Sequence, residues 1–207
     1  MNEIINLNKL CIGTAQFGLD YGITNKFGKL NKKEIYKALN LAKLNNISLI
    51  DTSNSYGNAE TLLGSISPVN KNFKYITKLK IEFDEGLSDF KQKKKWDQNI
   101  NKSLEKLKVS RLEGLLLHRP SDLLHKKSNL ILEWLLEKKR NGITNKIGVS
   151  IYDEKDLLPK HLTYFDIVQL PISIYDQRKF HSGFLEKLHK KSIEIHARSI
   201  FLQGLII

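Results

Sequence analysis

Leu49-Ile50-Asp51-Thr52-Ser53-Asn54-Ser55-Tyr56-Gly57 is the stretch on which the reading of the whole chain turns. The apolar run leading into it, Ile47-Ser48-Leu49-Ile50, has the length of a buried strand rather than of a helix. Asp51 closes that strand, and a glycine-containing turn carries Tyr56 five positions on. Two polar side chains therefore leave one end of a strand, which is where parallel α/β folds place their chemistry. Two further strand ends follow: Thr77-Lys78 after Phe73-Lys74-Tyr75-Ile76, and His118 after Leu115-Leu116-Leu117. An acid, a phenol, an amine and an imidazole on three successive strand ends describe a proton-transfer site.

Working outward, an opening strand reads Leu10-Cys11-Ile12-Gly13-Thr14 and runs into Ala15-Gln16-Phe17-Gly18. A helix follows behind an Asn31…Glu34 capping box, with Ile35, Ala38, Leu39 and Ala42 as its core face. After Tyr56-Gly57 a short helix with Glu60, Leu62 and Leu63 ends near Gly64 and Pro68. A helix over about 91–109 sets Trp96, Ile100, Leu104 and Leu107 on one side. The fourth strand, Arg111 to Leu117, stops at His118-Arg119-Pro120. Ile131, Trp134, Leu135 and Lys138 mark the next helix, with Asn141-Gly142 as its stop. Strand five is Lys146 to Ile151, a brief helix covers 153–159, and strand six is Asp166 to Leu170 before Pro171. One helix through Phe180, Phe184, Leu185 and Leu188 leads to strand seven, Ile193 to Ala197, and a tail from Arg198 to Leu205.

Steady alternation of strand and helix, without linker or low-complexity tract, implies parallel strands joined by right-handed crossovers. The seven strands suit an open doubly wound sheet, or a barrel lacking its last unit. No Gly-x-Gly-x-x-Gly follows the first strand and no Gly-Lys-Ser/Thr loop occurs, which weakens the dinucleotide-fold and P-loop options.

The 207 residues suffice for one domain with a core, and an apolar fraction of 41% with 27% charged residues is ordinary for a globular protein. No run of roughly 18 apolar residues occurs, so no membrane partner is expected. Met1 to Asn6 lacks a signal-peptide layout, and the single Cys11 cannot form an internal bridge; both fit a cytoplasmic location. The formal charge of +12 comes from lysines spread over most helices, so no nucleic-acid partner is expected. Its densest cluster, Lys91 to Lys95, reads as a solvated helix face, and the net field favours anionic ligands. The six histidines show no metal-binding spacing, so no metal site is expected.

A tyrosine phenol has a reference pKa of about 10. A cation held against it stabilises the phenolate, and Lys78 on the neighbouring strand end can supply one. Asp51 would hold that ammonium in place, and His118 could donate to a substrate carbonyl oxygen. Singly, each has a plainer reading: Asp51 as a turn former, Tyr56 as rim packing, Lys78 as one lysine beside Lys80, His118 as a strand stop. Their joint order on strands two, three and four outweighs those readings.

The segments Asp51-x4-Tyr56-Gly57 with Glu60 and Gly64, Thr77-Lys78, and Leu116-Leu117-His118-Arg119-Pro120 resemble those of the aldo/keto reductase family. Ile147-Gly148-Val149-Ser150 and Ile167-Val168-Gln169 resemble that family's fifth and sixth strands. The resemblance covers nearly the whole chain, 1–207, as one domain. It implies a (β/α)8 barrel of the TIM type, NADPH as cofactor with NADH the less favoured alternative, and reversible reduction of a small aldehyde or ketone, sugars included. Tyr56 would be the general acid, Lys78 and Asp51 its tuning pair, and His118 the carbonyl-orienting group. Ser150 and Gln169 would bind the nicotinamide carboxamide, with Arg198 against the ring and Ser199 near the pyrophosphate.

Three departures stand out. Ile151 occupies the place where that family usually has Asn, and Arg198 the place of an aromatic that stacks on the nicotinamide. The chain also stops just after its seventh strand, where a barrel typically needs about 250 residues. The expectation is therefore a barrel whose last βα unit is missing, incomplete at the C-terminus. Two alternatives stay open: a non-catalytic remnant or binding module with impaired cofactor binding, and a redox-neutral enzyme using the same proton-transfer residues. Substrate identity and oligomeric state are not readable from the residues.

Overall fold

A computed structural model of the chain describes residues 9–66 and 72–206. The readings of Met1 to Asn6 and of Pro68 as a helix end lie outside the described residues.

Among the described residues seven strands form one sheet in the order of the chain, and every adjacent pair is parallel. They are β1 (Cys11–Gly13), β2 (Leu49–Asp51), β3 (Lys74–Leu79), β4 (Leu112–Leu117), β5 (Thr144–Ser150), β6 (Ile167–Pro171) and β7 (Glu194–Arg198). Between them run α1 (Ala15–Gly18), α2 (Lys32–Leu44), α3 (Ala59–Ser65), α4 (Asp89–Leu107), α5 (Ser128–Arg140), α6 (Arg178–His181) and α7 (Phe184–Lys190). The sheet curls far enough for Gln169 on β6 to bond Asp51 on β2 at 3.0 Å. This is the (β/α)8 type of architecture carrying seven of its strands, so the barrel alternative holds over the open doubly wound sheet.

Strand side chains alternate between two surroundings. Ile50, Tyr75, Leu115, Leu117, Val149, Val168 and Leu170 pack with the helices in the large core. Ile76, Leu116 and Ile167, with Leu49, form a separate small cluster enclosed by the sheet. One step further along the same face come Asp51, Lys78, His118 and Gln169, two residues after those apolar ones. The strand period thus sets a polar layer on an apolar floor.

The helices follow their caps. Asn31 accepts from the Lys33 and Glu34 amides while Glu34 accepts from the Asn31 amide, a closed capping box at α2. Ile35, Leu39 and Ala42 are buried, but Ala38, expected in that face, is exposed. The stripe is only as wide as one contact line, so a residue one turn-quarter aside meets solvent. Ser88 caps α4, whose face Gln92, Trp96, Ile100, Ser103 and Leu107 is buried. Trp96 meets Trp134 of α5 edge-on, the ring centres 5.6 Å apart. The single helix expected through Phe180 to Leu188 is two: Gly183, at φ +73°, breaks it, and Phe180 is exposed. The brief helix at 153–159 is instead a pair of 3-10 turns, Glu154–Asp156 and Pro159–Thr163. Among the described residues no helix is long and apolar enough to cross a membrane.

Candidate active site

Asp51 ends β2, and its carboxylate takes two bonds from Lys78 Nζ, both 2.6 Å. Nζ also donates to the Thr52 carbonyl at 3.0 Å, and Lys78 is only 1% exposed. The ammonium therefore sits in a dry place with a matched anion, the arrangement a buried charge requires. Lys80, its sequence competitor, is exposed.

Tyr56 stands beside this pair, its ring centre 5.2 Å from Lys78 Nζ. Burial pushes the phenol above its ordinary value of 10; the Lys78 charge pulls the other way and Asp51 adds to the rise. Desolvation wins over the cation, against the expectation that Lys78 would make the phenol more acidic overall. At neutral pH the phenol therefore keeps its proton.

Two glycines set that phenol's position. A Cβ on Gly18 would lie 1.8 Å from the Tyr56 carbonyl oxygen, and one on Gly57, at φ +54°, would lie 2.4 Å from the Gly18 carbonyl oxygen. The end of α1 and the turn after β2 thus fit together only without side chains. Behind the turn, Glu60 on α3 is buried and accepts from Thr77 at 2.8 Å and Ser103 at 3.1 Å. One carboxylate ties α3 to β3 and α4.

His118 follows β4, its ring edge-on to Tyr56 with centres 5.8 Å apart. Burial, then the charges of Lys78 and Lys80, push the imidazole down to about 4, so it is neutral at pH 7. Its Nδ1 lies 3.0 Å from Ser53 Oγ. Ser53 lies in the turn between Asp51 and Tyr56, where a small hydroxyl has no periodic signature by which the sequence could reveal its role. Thr14 is a second such residue, completely buried and donating to the Asp51 carbonyl at 3.0 Å. Cys11 is half-buried, and burial with the Asp51 charge raises its thiol far above the ordinary range, which suits an inert residue.

Across the barrel, Ser150 donates to Gln169 Oε1 at 3.2 Å, and Gln169 donates to Asp51 at 3.0 Å. These two residues thus join the Asp51–Lys78 pair. Arg198 and Ser199 do not. Arg198 lies over the Tyr152 ring at 4.2 Å and donates to the Ile151 carbonyl at 3.1 Å, while its buried Nε has no partner. Ser199 follows at φ +57°. The four residues Asp51, Tyr56, Lys78 and His118 come together at one end of the sheet, as the order of strands two to four implied.

No curated protein matches the sequence. Solved structures do. A protein described as an aldo-keto reductase from Pseudomonas aeruginosa is 24% identical with a TM-score of 0.72, over 90% of this chain and 71% of that one. An aldo-keto reductase from Bacillus halodurans, in its holo form, is 17% identical with a TM-score of 0.73, over 95% of this chain and 63% of its own. An aldo-keto reductase from Klebsiella pneumoniae in complex with NADPH is 17% identical with a TM-score of 0.68, over 93% of this chain and 64% of its own. This chain thus spans under two thirds of the length of the latter two. At such identities the likeness speaks for the fold. The sequence profile of the Aldo/keto reductase family matches residues 9–206, nearly the full length, and the chain belongs to that family.

Proposed function

We propose that the chain, 1–207 acting as one domain, is an oxidoreductase that moves a hydride between NADPH and the carbonyl carbon of a small aldehyde or ketone. What supports this above all is the convergence of Tyr56, Lys78 and His118 around Asp51, in a protein of this family. The protonated phenol of Tyr56 gives its proton to the carbonyl oxygen. Lys78, fixed by Asp51, stands by to stabilise the phenolate that remains. Neutral His118 orients the substrate oxygen without adding charge, which leaves Tyr56 as the proton donor.

The residues fit such a cofactor. Ser150 and Gln169 offer a hydroxyl and an amide, suited to a carboxamide, and the orphaned Arg198 Nε is a donor awaiting an acceptor. Ser150, Gln169, Arg198 and Ser199 would hold it, and when bound it supplies the hydride. The NADPH complex of the Klebsiella relative favours NADPH over NADH.

Titrating the purified chain with NADPH, followed by its fluorescence, tests binding, and millimolar cofactor without response would favour the non-catalytic alternative. Carbonyl-dependent NADPH oxidation should fall by about 10²–10⁴ in Tyr56→Phe. Unchanged turnover in that variant would remove Tyr56 from the chemistry.

A further inference from the structure

Ser53 is 1% exposed and makes more polar contacts than a hydroxyl can satisfy in only one way. Its Oγ donates to the Lys78 carbonyl at 3.1 Å, accepts from the Ser55 amide at 3.1 Å, and lies 3.0 Å from His118 Nδ1. Its own carbonyl accepts from the Tyr56 amide at 3.0 Å, so the same residue anchors the turn that carries the phenol.

A hydroxyl has one proton and two lone pairs. With the proton given to Lys78 and one lone pair taken by Ser55, the other lone pair can only accept from His118. Nδ1 then carries the imidazole hydrogen and Nε2 a bare lone pair. A neutral imidazole has a single N–H, so the partner of one nitrogen decides the state of the other. The Lys78 carbonyl has a second donor, the Asn54 amide at 3.3 Å. The Ser53 hydroxyl can therefore turn away from Lys78 to His118 without stranding that carbonyl. In the turned state Nδ1 accepts and Nε2 carries the hydrogen.

We propose that Ser53 is a positioning residue that sets the tautomer of His118: Nδ1–H in the ligand-free protein, Nε2–H once its hydroxyl turns. The ligand-free preference follows from the contacts, because the first arrangement keeps all three hydrogen bonds of the Ser53 hydroxyl and the second loses the one to Lys78. The two states match the two sides of a carbonyl–alcohol pair. A carbonyl oxygen needs the N–H of the turned state; an alcohol hydroxyl can donate to the bare Nε2. On switching, Nδ1 releases its proton to solvent and Nε2 takes one from solvent, with no change in charge. This use of the switch rests on the reductase reading above; the Ser53–His118 coupling does not.

The test is ¹⁵N NMR of the labelled full chain near pH 7, in which protonated and bare imidazole nitrogens have distinct shifts. His118 is assigned by the signals lost in His118→Gln. The wild type should show protonated Nδ1 and bare Nε2, Ser53→Ala should shift His118 toward the Nε2–H form, and Ser53→Thr should restore the wild-type pattern. A wild-type ring protonated on Nε2 overturns the proposal without recourse to any variant. So does an identical pattern in Ser53→Ala. The expected pattern in a protein that oxidises no NADPH with any carbonyl supports the coupling and counts against the reductase reading alone.

Discussion

The two halves of the barrel mouth are built on different terms. On the β2–β4 side, Lys78, Asp51, Thr52, Ser53 and His118 are joined by hydrogen bonds from 2.6 to 3.1 Å, and the Lys78 ammonium is nearly dry. On the β7 side, Arg198 keeps a buried Nε without a partner and leans on Tyr152, which is 67% exposed. Ser199, Leu202 and Gln203 beside it hold positive φ without being glycine. The first half, Thr52 Oγ1 apart, is tied by its own hydrogen bonds; the second holds a buried donor without a partner and strained backbone. Proton chemistry benefits from the former, because groups fixed in advance need no reorganisation. Gln169 links the two, reaching from β6 to Asp51.

The comparison breaks or sharpens under substitution. Asp51→Ala should have the largest effect, about 3–5 kcal/mol of stability by denaturant unfolding, because it leaves the Lys78 ammonium buried and unmatched. A loss under 1 kcal/mol would mean that the first half is no more preorganised than the second. Gly18→Ala comes next: with a Cβ 1.8 Å from the Tyr56 carbonyl oxygen, the turn must shift. The expected cost is about 1–3 kcal/mol. Misplacing the phenol should also reduce turnover by on the order of 100-fold.

A third effect depends on pH. His118 titrates at about 4 when folded against 6.5 when ordinary, so between those values the unfolded chain binds more protons. Stability should therefore fall as pH drops through that window, the His118 contribution being spent below about 4. His118→Gln should flatten that acid limb, measured by unfolding at several pH values. The smallest effect belongs to the β7 side: Arg198→Ala should cost about 0.5–1 kcal/mol, the worth of a cation–π contact at an exposed ring. If it costs as much as Asp51→Ala, the contrast between the halves is void.

How much of this was legible follows the same division. Asp51, Lys78 and His118 could be found because each closes an apolar run, and a strand's period puts run-closing residues at one end of a sheet; Tyr56 could be found because the turn after Asp51 carries it. The parallel sheet was legible for the same reason. Ser53 and Thr14 were not, since their roles depend on which strand end lies next to which. The sign of the Tyr56 shift was equally hidden: sequence shows the nearby cation but not the burial that outweighs it. Ala38 and Phe180 misled because an apolar residue on a helix says nothing of how wide the covered stripe is. Arg198 drew notice as a departure, yet its stack on Tyr152 needed coordinates.

One contact near the mouth has its own corollary. The Ile23 amide bonds the Gln203 carbonyl at 3.1 Å, joining the loop after β1 to the segment after β7 although those two strands do not pair. Among the described residues the first and last strands are thus joined by this loop contact and not by strand pairing. In deuterium exchange the Ile23 amide should outlast the outward-facing amides of β7, an order opposite to that of most sheets, where loops exchange first.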